Sequence, residues 1–189
     1  MSRVRLYVAA VLVIVSAVAS VVLTAASDPM VVRLRDKCDP ATFSAVLGAG
    51  ACVGDGNITF NHFSKELASA KKVGAWHFDP AGGTLDEGTV LALENRGGET
   101  HTFTKVENFG GGFVAPLNAA SGNPVPAPEC ATSAFGQLIP KPPGPGNIFV
   151  NAGTTQVGPK AGDAILPSGT TTKFQCCIHP WMRTELRAQ

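Results

Sequence analysis

One short segment near the end of the chain carries three side chains that bind soft metal ions. Cys176, His179 and Met182 supply a thiolate, an imidazole and a thioether within seven residues. A second imidazole, His101, lies 75 positions upstream of Cys176. Two histidines and one cysteine in a plane, with a distant methionine, form a type 1 copper site. The sequence therefore predicts that these four residues bind one mononuclear copper ion.

This mixture of ligands is suited to an ion that changes its charge. The soft thiolate and thioether stabilise Cu(I), whereas imidazole also suits Cu(II). One rigid cage can then hold both oxidation states with little rearrangement. Zinc could use the same residues, but a structural zinc site prefers four Cys or His ligands. The pattern therefore favours copper.

The two adjacent cysteines differ in the direction in which they point. On a strand that ends in this segment, Phe174 and Cys176 share one face, while Lys173, Gln175 and Cys177 share the other. The charged and amide side chains are expected to face outward. Cys176 is therefore predicted to face the interior and to bind the metal.

The spacing of these residues resembles that of a known family. The pattern Cys176-x-x-His179-x-x-Met182, with Pro180 and Trp181 inside it, resembles the C-terminal ligand loop of cupredoxins in its short, amicyanin-like form. Cys176 leaves two residues before the histidine, as in that family, whereas Cys177 would leave one. A second matching segment, similar to the strand and loop before the first histidine of plastocyanin-like proteins, consists of Gly88, Leu91, Leu93, Asn95 and His101.

The resemblance covers about residues 75–107 and 148–189. It implies an all-β Greek-key β-sandwich, the cupredoxin fold, and one-electron transfer. His179, flanked by Pro180 and Trp181, is expected to be the exposed edge through which electrons pass. Residues 27–72 and most of 108–147 lie outside the resemblance, so no family role extends to them.

The resemblance also implies supporting residues and a class of function. Asn95 and its loop are expected to orient His101 and the thiolate, and Trp181 is expected beside the ligands. Because the protein fills all four ligand positions, no position is open for a substrate. We therefore expect an electron carrier and not an enzyme. Copper storage, delivery or resistance without redox cycling is the alternative, and a module of a larger copper assembly is a third possibility.

The first 26 residues have the features of a targeting segment. Arg3 and Arg5 precede 21 uncharged residues, Leu6 to Ala26. This run is either a cleaved signal peptide or a membrane anchor through residues 6–26. The chain is thus expected in the periplasm or another space outside the cytoplasm, as a monomer with redox partner proteins. A formal net charge of +1 gives no electrostatic basis for binding nucleic acid.

The five cysteines fit an exported protein with one metal-bound thiolate. Besides Cys176, the two predicted disulfides are Cys38–Cys52 and Cys130–Cys177. The first would close a 15-residue loop around a short helix that begins after Asp39 and ends at Gly48.

The rest of the chain divides into three parts. Residues 27–72 are predicted to form a helical extension that packs on the domain C-terminal to it, with a second helix starting near Thr59. Residues 73–189 are predicted to form that sandwich domain. A Gly/Pro-rich insertion at about 108–147 interrupts it, and the bridge from Cys130 would tether this insertion beside the ligand loop.

Overall fold

The computed structural model describes residues 28–189. The predicted signal peptide or anchor, residues 1–26, lies outside this range. Within residues 28–189, no helix is both long enough and apolar enough to cross a membrane.

Strands predominate in the described part of the chain, with three short helices between them. In chain order the elements are β1 (Met30–Arg35), α1 (Pro40–Leu47), α2 (Phe60–Ala70), β2 (His77–Asp79), β3 (Gly82–Leu85), β4 (Val90–Asn95), β5 (His101–Val106), α3 (Ala115–Ala120), β6 (Ala131–Ala134), β7 (Gln137–Pro140), β8 (Asn147–Val150), β9 (Thr155–Lys160), β10 (Thr171–Gln175) and β11 (Arg183–Ala188).

Two sheets form the body of the protein. One has the strand order β2-β1-β4-β9 and the other has the order β3-β11-β10-β5-β8. Strands β4 and β5 follow each other in the chain but lie in different sheets, and β8 and β9 do the same. Phe103 of β5 stacks on Phe174 of β10 and contacts Phe78 of β2 in the opposite sheet. The predicted all-β sandwich is therefore confirmed.

Strand β4 shows why the sequence folds this way. Its side chains alternate, with Leu91, Leu93 and Asn95 buried and the residues between them partly exposed. Such alternation is expected where one face of a strand packs on the core. The last buried residue of this strand, Asn95, begins the loop that leads to His101.

The first strand of the sandwich lies in the region predicted to be a helical extension. Strand β1 pairs with β4 in parallel and with β2 antiparallel, so it is a central strand of its sheet. Its pattern places Val32 and Leu34 in the core and leaves Arg33 and Arg35 partly exposed. The two arginines adjoin the apolar N-terminal run, which concealed this alternation. The sandwich therefore begins before residue 73.

The two N-terminal helices form where they were predicted. Asp39 caps α1 by accepting a hydrogen bond from Ala41 N, and Thr59 caps α2 by accepting one from His62 N. The structure contains the Cys38–Cys52 disulfide around α1. The rings of Phe43, Phe60 and Phe63 pack together and against Trp76. The helical unit thus shares the core of the sandwich, as predicted.

The insertion is folded against the outer face of the five-stranded sheet. It contains α3 and the hairpin of β6 and β7, and the Cys130–Cys177 disulfide joins it to the end of β10. Phe113 N donates a hydrogen bond to Cys177 O (2.8 Å), and a side chain at Gly112 would collide with the backbone of Cys177. The insertion is therefore fastened to the segment that carries the candidate ligands.

This packing corrects the expectation that Gln175 faces solvent. Gln175 is fully buried, and its amide group exchanges hydrogen bonds with the backbone of Gly110 and Gly111 in the insertion. The strand alternation itself was correct. The strand face that was expected to contact solvent is covered by residues distant in the chain. The periodicity of the strand does not reveal this cover.

Two consecutive glycines stand at the start of a strand in the five-stranded sheet. Gly82 and Gly83 begin β3, which pairs in parallel with β11. The space beside them is narrow, because a Cβ at Gly83 would lie 3.1 Å from Met30 Cε. These glycines thus allow close packing within a strand.

Candidate metal centre

Three predicted ligands meet at one end of the sandwich. His101 Nδ1 and His179 Nδ1 lie 3.3 Å apart, and each lies 3.9 Å from Cys176 Sγ. His101 and Cys176 are fully buried, and His179 is 3% exposed. These three donor atoms form a triangle that could hold a metal ion.

Strands β5 and β10 and the tight loop after β10 position these side chains. His101 is the first residue of β5 and pairs with Val150 of β8. Cys176 directly follows β10, and its N–H donates to Met182 O (3.0 Å). Met182 N donates in turn to His179 O (2.9 Å), which closes the loop on itself. Met182 is fully buried in this loop, and its role as a ligand remains a prediction.

The surroundings of Cys176 favour a thiolate. Thr102 N and His179 N each donate towards Cys176 Sγ at 3.4 Å. Burial acts to raise the pKa of Cys176, but hydrogen bonds and positive charge from His101 and His179 outweigh it and lower this pKa well below its usual value. A deprotonated sulfur is the form that binds metal ions.

His101 has a buried carboxylate behind it. Its Nε2 lies 2.9 Å from Asp36 Oδ2, and both side chains are fully buried. Burial acts to lower the pKa of His101, but the hydrogen bonds with Asp36 and Cys176 outweigh it and raise this pKa to about 9. Burial acts to raise the pKa of Asp36, but its hydrogen bond with His101 and the charge of that ring outweigh it and lower this pKa.

His179 is not the exposed edge that the sequence predicted, and that expectation is wrong. The centroid of its ring lies 5.4 Å from that of the Trp181 ring and 6.4 Å from that of the Trp76 ring. Phe63 of α2 packs on both tryptophans, at 4.9 Å from Trp76 and 5.9 Å from Trp181. The N-terminal helical unit thus covers a histidine that the resemblance implied would be open to solvent.

A second carboxylate lies beside His179. Glu99 Oε2 is 3.5 Å from His179 Nε2 and accepts a hydrogen bond from Trp76 Nε1 at 2.7 Å. Burial raises the pKa of Glu99, although the charge of His179 and the bond from Trp76 act in the opposite direction. Both imidazoles therefore have an acidic side chain near the nitrogen that faces away from Cys176.

Asn95 acts on the site through the loop before His101. Its amide nitrogen donates to Glu99 O and to Val150 O, both at 2.8 Å, and its amide oxygen accepts from Gly97 N at 2.9 Å. These bonds fix the loop to the end of β8, beside His101. The predicted orienting role is thus indirect, whereas Trp181 touches His179 directly.

Cys177 points away from the candidate site, as the strand alternation predicted. It pairs with Cys130, and its N–H donates to Thr102 Oγ1 at 2.7 Å. Cys176 is the free cysteine among residues 28–189. The disulfide therefore leaves one thiol directed at the two imidazoles.

Four residues near the site were not predicted from the sequence: Asp36, Phe63, Trp76 and Glu99. Asp36 and Phe63 belong to residues 27–72, which lie outside the resemblance, and Glu99 lies in a loop with no helical or strand periodicity. The sequence contains one signal for Asp36, because this residue directly follows the alternating segment that forms β1. Its contact with His101 joins positions 65 apart in the chain and requires the fold.

Comparisons with known proteins give structural neighbours alone. No protein-family model and no curated protein sequence matches the chain. The chain is similar to a novel purple cupredoxin from Nitrosopumilus maritimus, with 10% identity, coverage of 85% of this chain and 99% of that one, and a TM-score of 0.38. It is similar to oxidised plastocyanin from Dryopteris crassirhizoma, with 14% identity, coverage of 84% and 99%, and a TM-score of 0.32.

Auracyanin B is a third neighbour, with 17% identity, coverage of 87% of this chain and 91% of that one, and a TM-score of 0.37.

Proposed function

We propose that this protein is a type 1 copper protein that carries single electrons outside the cytoplasm. One observation carries the proposal. Two imidazole nitrogens and one cysteine sulfur, all buried, face one another at 3.3 to 3.9 Å. These donors are of the three types that bind copper strongly in a blue-copper site, and Met182 in the same loop would supply a weaker thioether ligand.

The distances between the donor atoms fit an ion at their centre. As in zinc sites, an ion of this size lies about 2.0–2.1 Å from imidazole nitrogen and about 2.3 Å from thiolate sulfur. With angles near 120° in a plane, the nitrogens would lie roughly 3.6 Å apart and each nitrogen roughly 3.8 Å from the sulfur, by the same bond lengths. The observed separations of 3.3 and 3.9 Å are close to these values.

Contacts within the chain hold these side chains in place. The sulfur accepts two backbone N–H groups, His101 is bonded to Asp36, and the ligand loop is closed by its own backbone bonds. A site that is already arranged need not move when an electron arrives. Bound copper would supply the one-electron couple, and the protein would supply the fixed cage around it.

The donor set favours copper over zinc. Structural zinc sites use four Cys or His ligands, whereas the site offers three such donors and a methionine. A cluster of Asp36, Cys38 and Glu99 lies nearby, but the sulfur of Cys38 is used in a disulfide. We therefore assign the metal to the His101, Cys176 and His179 triangle.

The disulfides support a location outside the cytoplasm. Two bridges, Cys38–Cys52 and Cys130–Cys177, are typical of chains that fold in an oxidising compartment. Together with the basic and apolar residues at the N-terminus, they favour export.

The alternative function is copper storage, delivery or resistance without redox cycling. Delivery needs a ligand that an acceptor protein can reach. Among the described residues, His101 and Cys176 are fully buried and His179 is 3% exposed. This burial favours retention of the ion and therefore a carrier over a delivery protein.

Spectroscopy of the copper-loaded, oxidised protein tests the proposal. We expect an intense visible absorption band from the thiolate, an EPR spectrum typical of type 1 copper, and reversible one-electron voltammetry. A colourless protein that contains one copper ion per chain would overturn the assignment. A coloured protein that passes Cu(I) readily to an acceptor would instead support the delivery alternative.

A further inference from the structure

We propose that Asp36 is a positioning residue of the metal site, which fixes the orientation of His101 and stabilises the oxidised ion. The inference rests on the proposed copper site and adds to it a residue that directly follows the N-terminal strand β1. Asp36 belongs to residues 27–72, to which the sequence resemblance assigns no role.

The carboxylate of Asp36 is held more firmly than a chance neighbour would be. Oδ1 accepts hydrogen bonds from Cys38 N (3.2 Å) and Gly98 N (2.8 Å). Oδ2 accepts one from Glu99 N (3.1 Å) and lies 2.9 Å from His101 Nε2. Four donors therefore converge on one buried carboxylate. Burying a charge is costly without such partners, so these four donors are what make the buried position of the Asp36 carboxylate stable.

The loop that contacts Asp36 is built to approach it. A side chain at Gly97 would collide with the Asp36 carboxylate, and one at Gly98 would come within 2.6 Å of Cys38 Sγ. Two consecutive glycines thus let the backbone N–H groups of residues 98 and 99 reach the carboxylate. The same loop continues directly into His101.

The hydrogen bond selects which nitrogen of His101 faces the metal. A carboxylate accepts hydrogen bonds and does not donate them, so Nε2 is the nitrogen that keeps its proton when the ring binds a metal ion. The lone pair is then on Nδ1, which lies 3.3 Å from His179 Nδ1 and 3.9 Å from Cys176 Sγ. Asp36 therefore presents the correct tautomer of His101 to the ion and prevents rotation of the ring.

The charge of Asp36 also acts on the metal. A fixed negative charge hydrogen-bonded to the imidazole makes His101 a stronger electron-pair donor to the metal and favours the higher charge of Cu(II) over that of Cu(I). Loss of a partner behind a metal ligand typically lowers metal affinity by about 10–100-fold. A tenfold greater loss for Cu(II) than for Cu(I) corresponds to an increase of about 59 mV in the reduction potential.

Glu99 and His179 offer an internal comparison. Their separation of 3.5 Å is longer than a good hydrogen bond, and Glu99 is shared with Trp76. Asp36 and His101 lie 2.9 Å apart. The geometry therefore assigns the stronger positioning role to Asp36.

The substitution Asp36→Asn tests the proposal in the copper-loaded full chain. We expect the reduction potential to rise by about 59 mV or more, the value for a tenfold change in the ratio of affinities. Asp163→Asn is the matched control, because Asp163 also accepts three backbone N–H groups but contacts no residue of the site. An unchanged potential in Asp36→Asn, or an equal rise in both variants, would refute the electrostatic role.

A second measurement needs no variant and remains valid if Asp36→Asn fails to fold. In the wild-type protein loaded with Zn(II), long-range ¹H–¹⁵N NMR reports which ring nitrogen of His101 carries the proton. We expect a slowly exchanging proton on Nε2. A proton on Nδ1, or an Nε2 proton that exchanges rapidly with water, would refute the positioning role.

The two measurements separate this proposal from the proposed function. The Zn(II) experiment requires only that the three donor atoms bind a metal, and it does not depend on colour or redox cycling. A protein that fails the copper spectroscopy but retains the His101 Nε2 proton would refute the carrier and keep the Asp36 assignment. A blue protein without that proton would support the copper carrier and refute the Asp36 assignment.

Discussion

Phe63 of α2 packs 5.9 Å from Trp181, a residue of the loop that carries His179 and Met182. This contact joins the N-terminal helical unit to the candidate metal site. It explains why His179 is buried, although the sequence predicted that its edge would be exposed. The described part of the chain therefore encloses the ligands from the side where a carrier would be expected to present them.

Replacement of Phe63 tests the enclosure. Phe63→Ala removes a buried ring and should cost about 3–5 kcal/mol of unfolding free energy. It should also open His179 to solvent, so a chelator should remove copper several-fold faster than from the wild type. Urea denaturation and the loss of visible absorption with time measure the two effects. Phe135→Ala, at a fully exposed ring, is the control and should change neither.

The ligand assignment of the adjacent cysteines has a direct test. Cys176→Ser should abolish the intense visible band, because the thiolate that produces it is lost. The double variant Cys130→Ser/Cys177→Ser removes the disulfide without leaving a new free thiol, and it should keep the band. Absorption spectra of both copper-loaded proteins show which cysteine binds the copper. Colour in the first variant and none in the second would reverse the assignment.

The same double variant measures the stabilisation by the Cys130–Cys177 disulfide. The two cysteines are 47 positions apart, so the bridge closes a 48-residue loop. The chain-entropy model gives a loss of about 4 kcal/mol without it. Chemical denaturation of the metal-free proteins should show this difference. A loss below about 1 kcal/mol would indicate that the insertion is held mainly by its other contacts.

Asn95 is predicted to support the site through the loop that precedes His101. Asn95→Ala would leave Glu99 O, Val150 O and Gly97 N without their partner, at about 1–3 kcal/mol for each group that stays buried. We expect a clear fall in stability and weaker copper binding. Denaturation and competition with a copper chelator measure these changes. Asn57→Ala, at an exposed position, should match the wild type.

Much of the fold follows from local sequence signals. The alternation in Val90–Asn95 and the capping residues Asp39 and Thr59 placed one strand and two helices within a residue or two. The spacing of Cys176, His179 and Met182 singled out the candidate ligand loop, because three side chains of types that can bind metal ions within seven residues form a strong pattern. These features depend on neighbours in the chain, which a sequence displays directly.

The features that were missed depend on distant contacts. Asp36, which follows a strand of one sheet, reaches His101 at the start of a strand in the other sheet, and Phe63 reaches Trp181 from helix α2. Gln175 is polar and was expected in water, yet the insertion covers it. Periodicity reports which face of a strand a residue occupies, but it does not report what covers that face. For this reason the three donor side chains that lie together could be predicted from the sequence, and their surroundings could not.

Gly112 restricts how this chain can change over evolutionary time. Any larger residue there would push on the carbonyl group of Cys177, which the peptide bond joins to Ile178 in the loop that carries His179. The insertion and the ligand loop must therefore vary together, although more than sixty positions separate them. Because the collision is with main-chain atoms, no change of side chain at position 177 would make room for a larger residue at position 112.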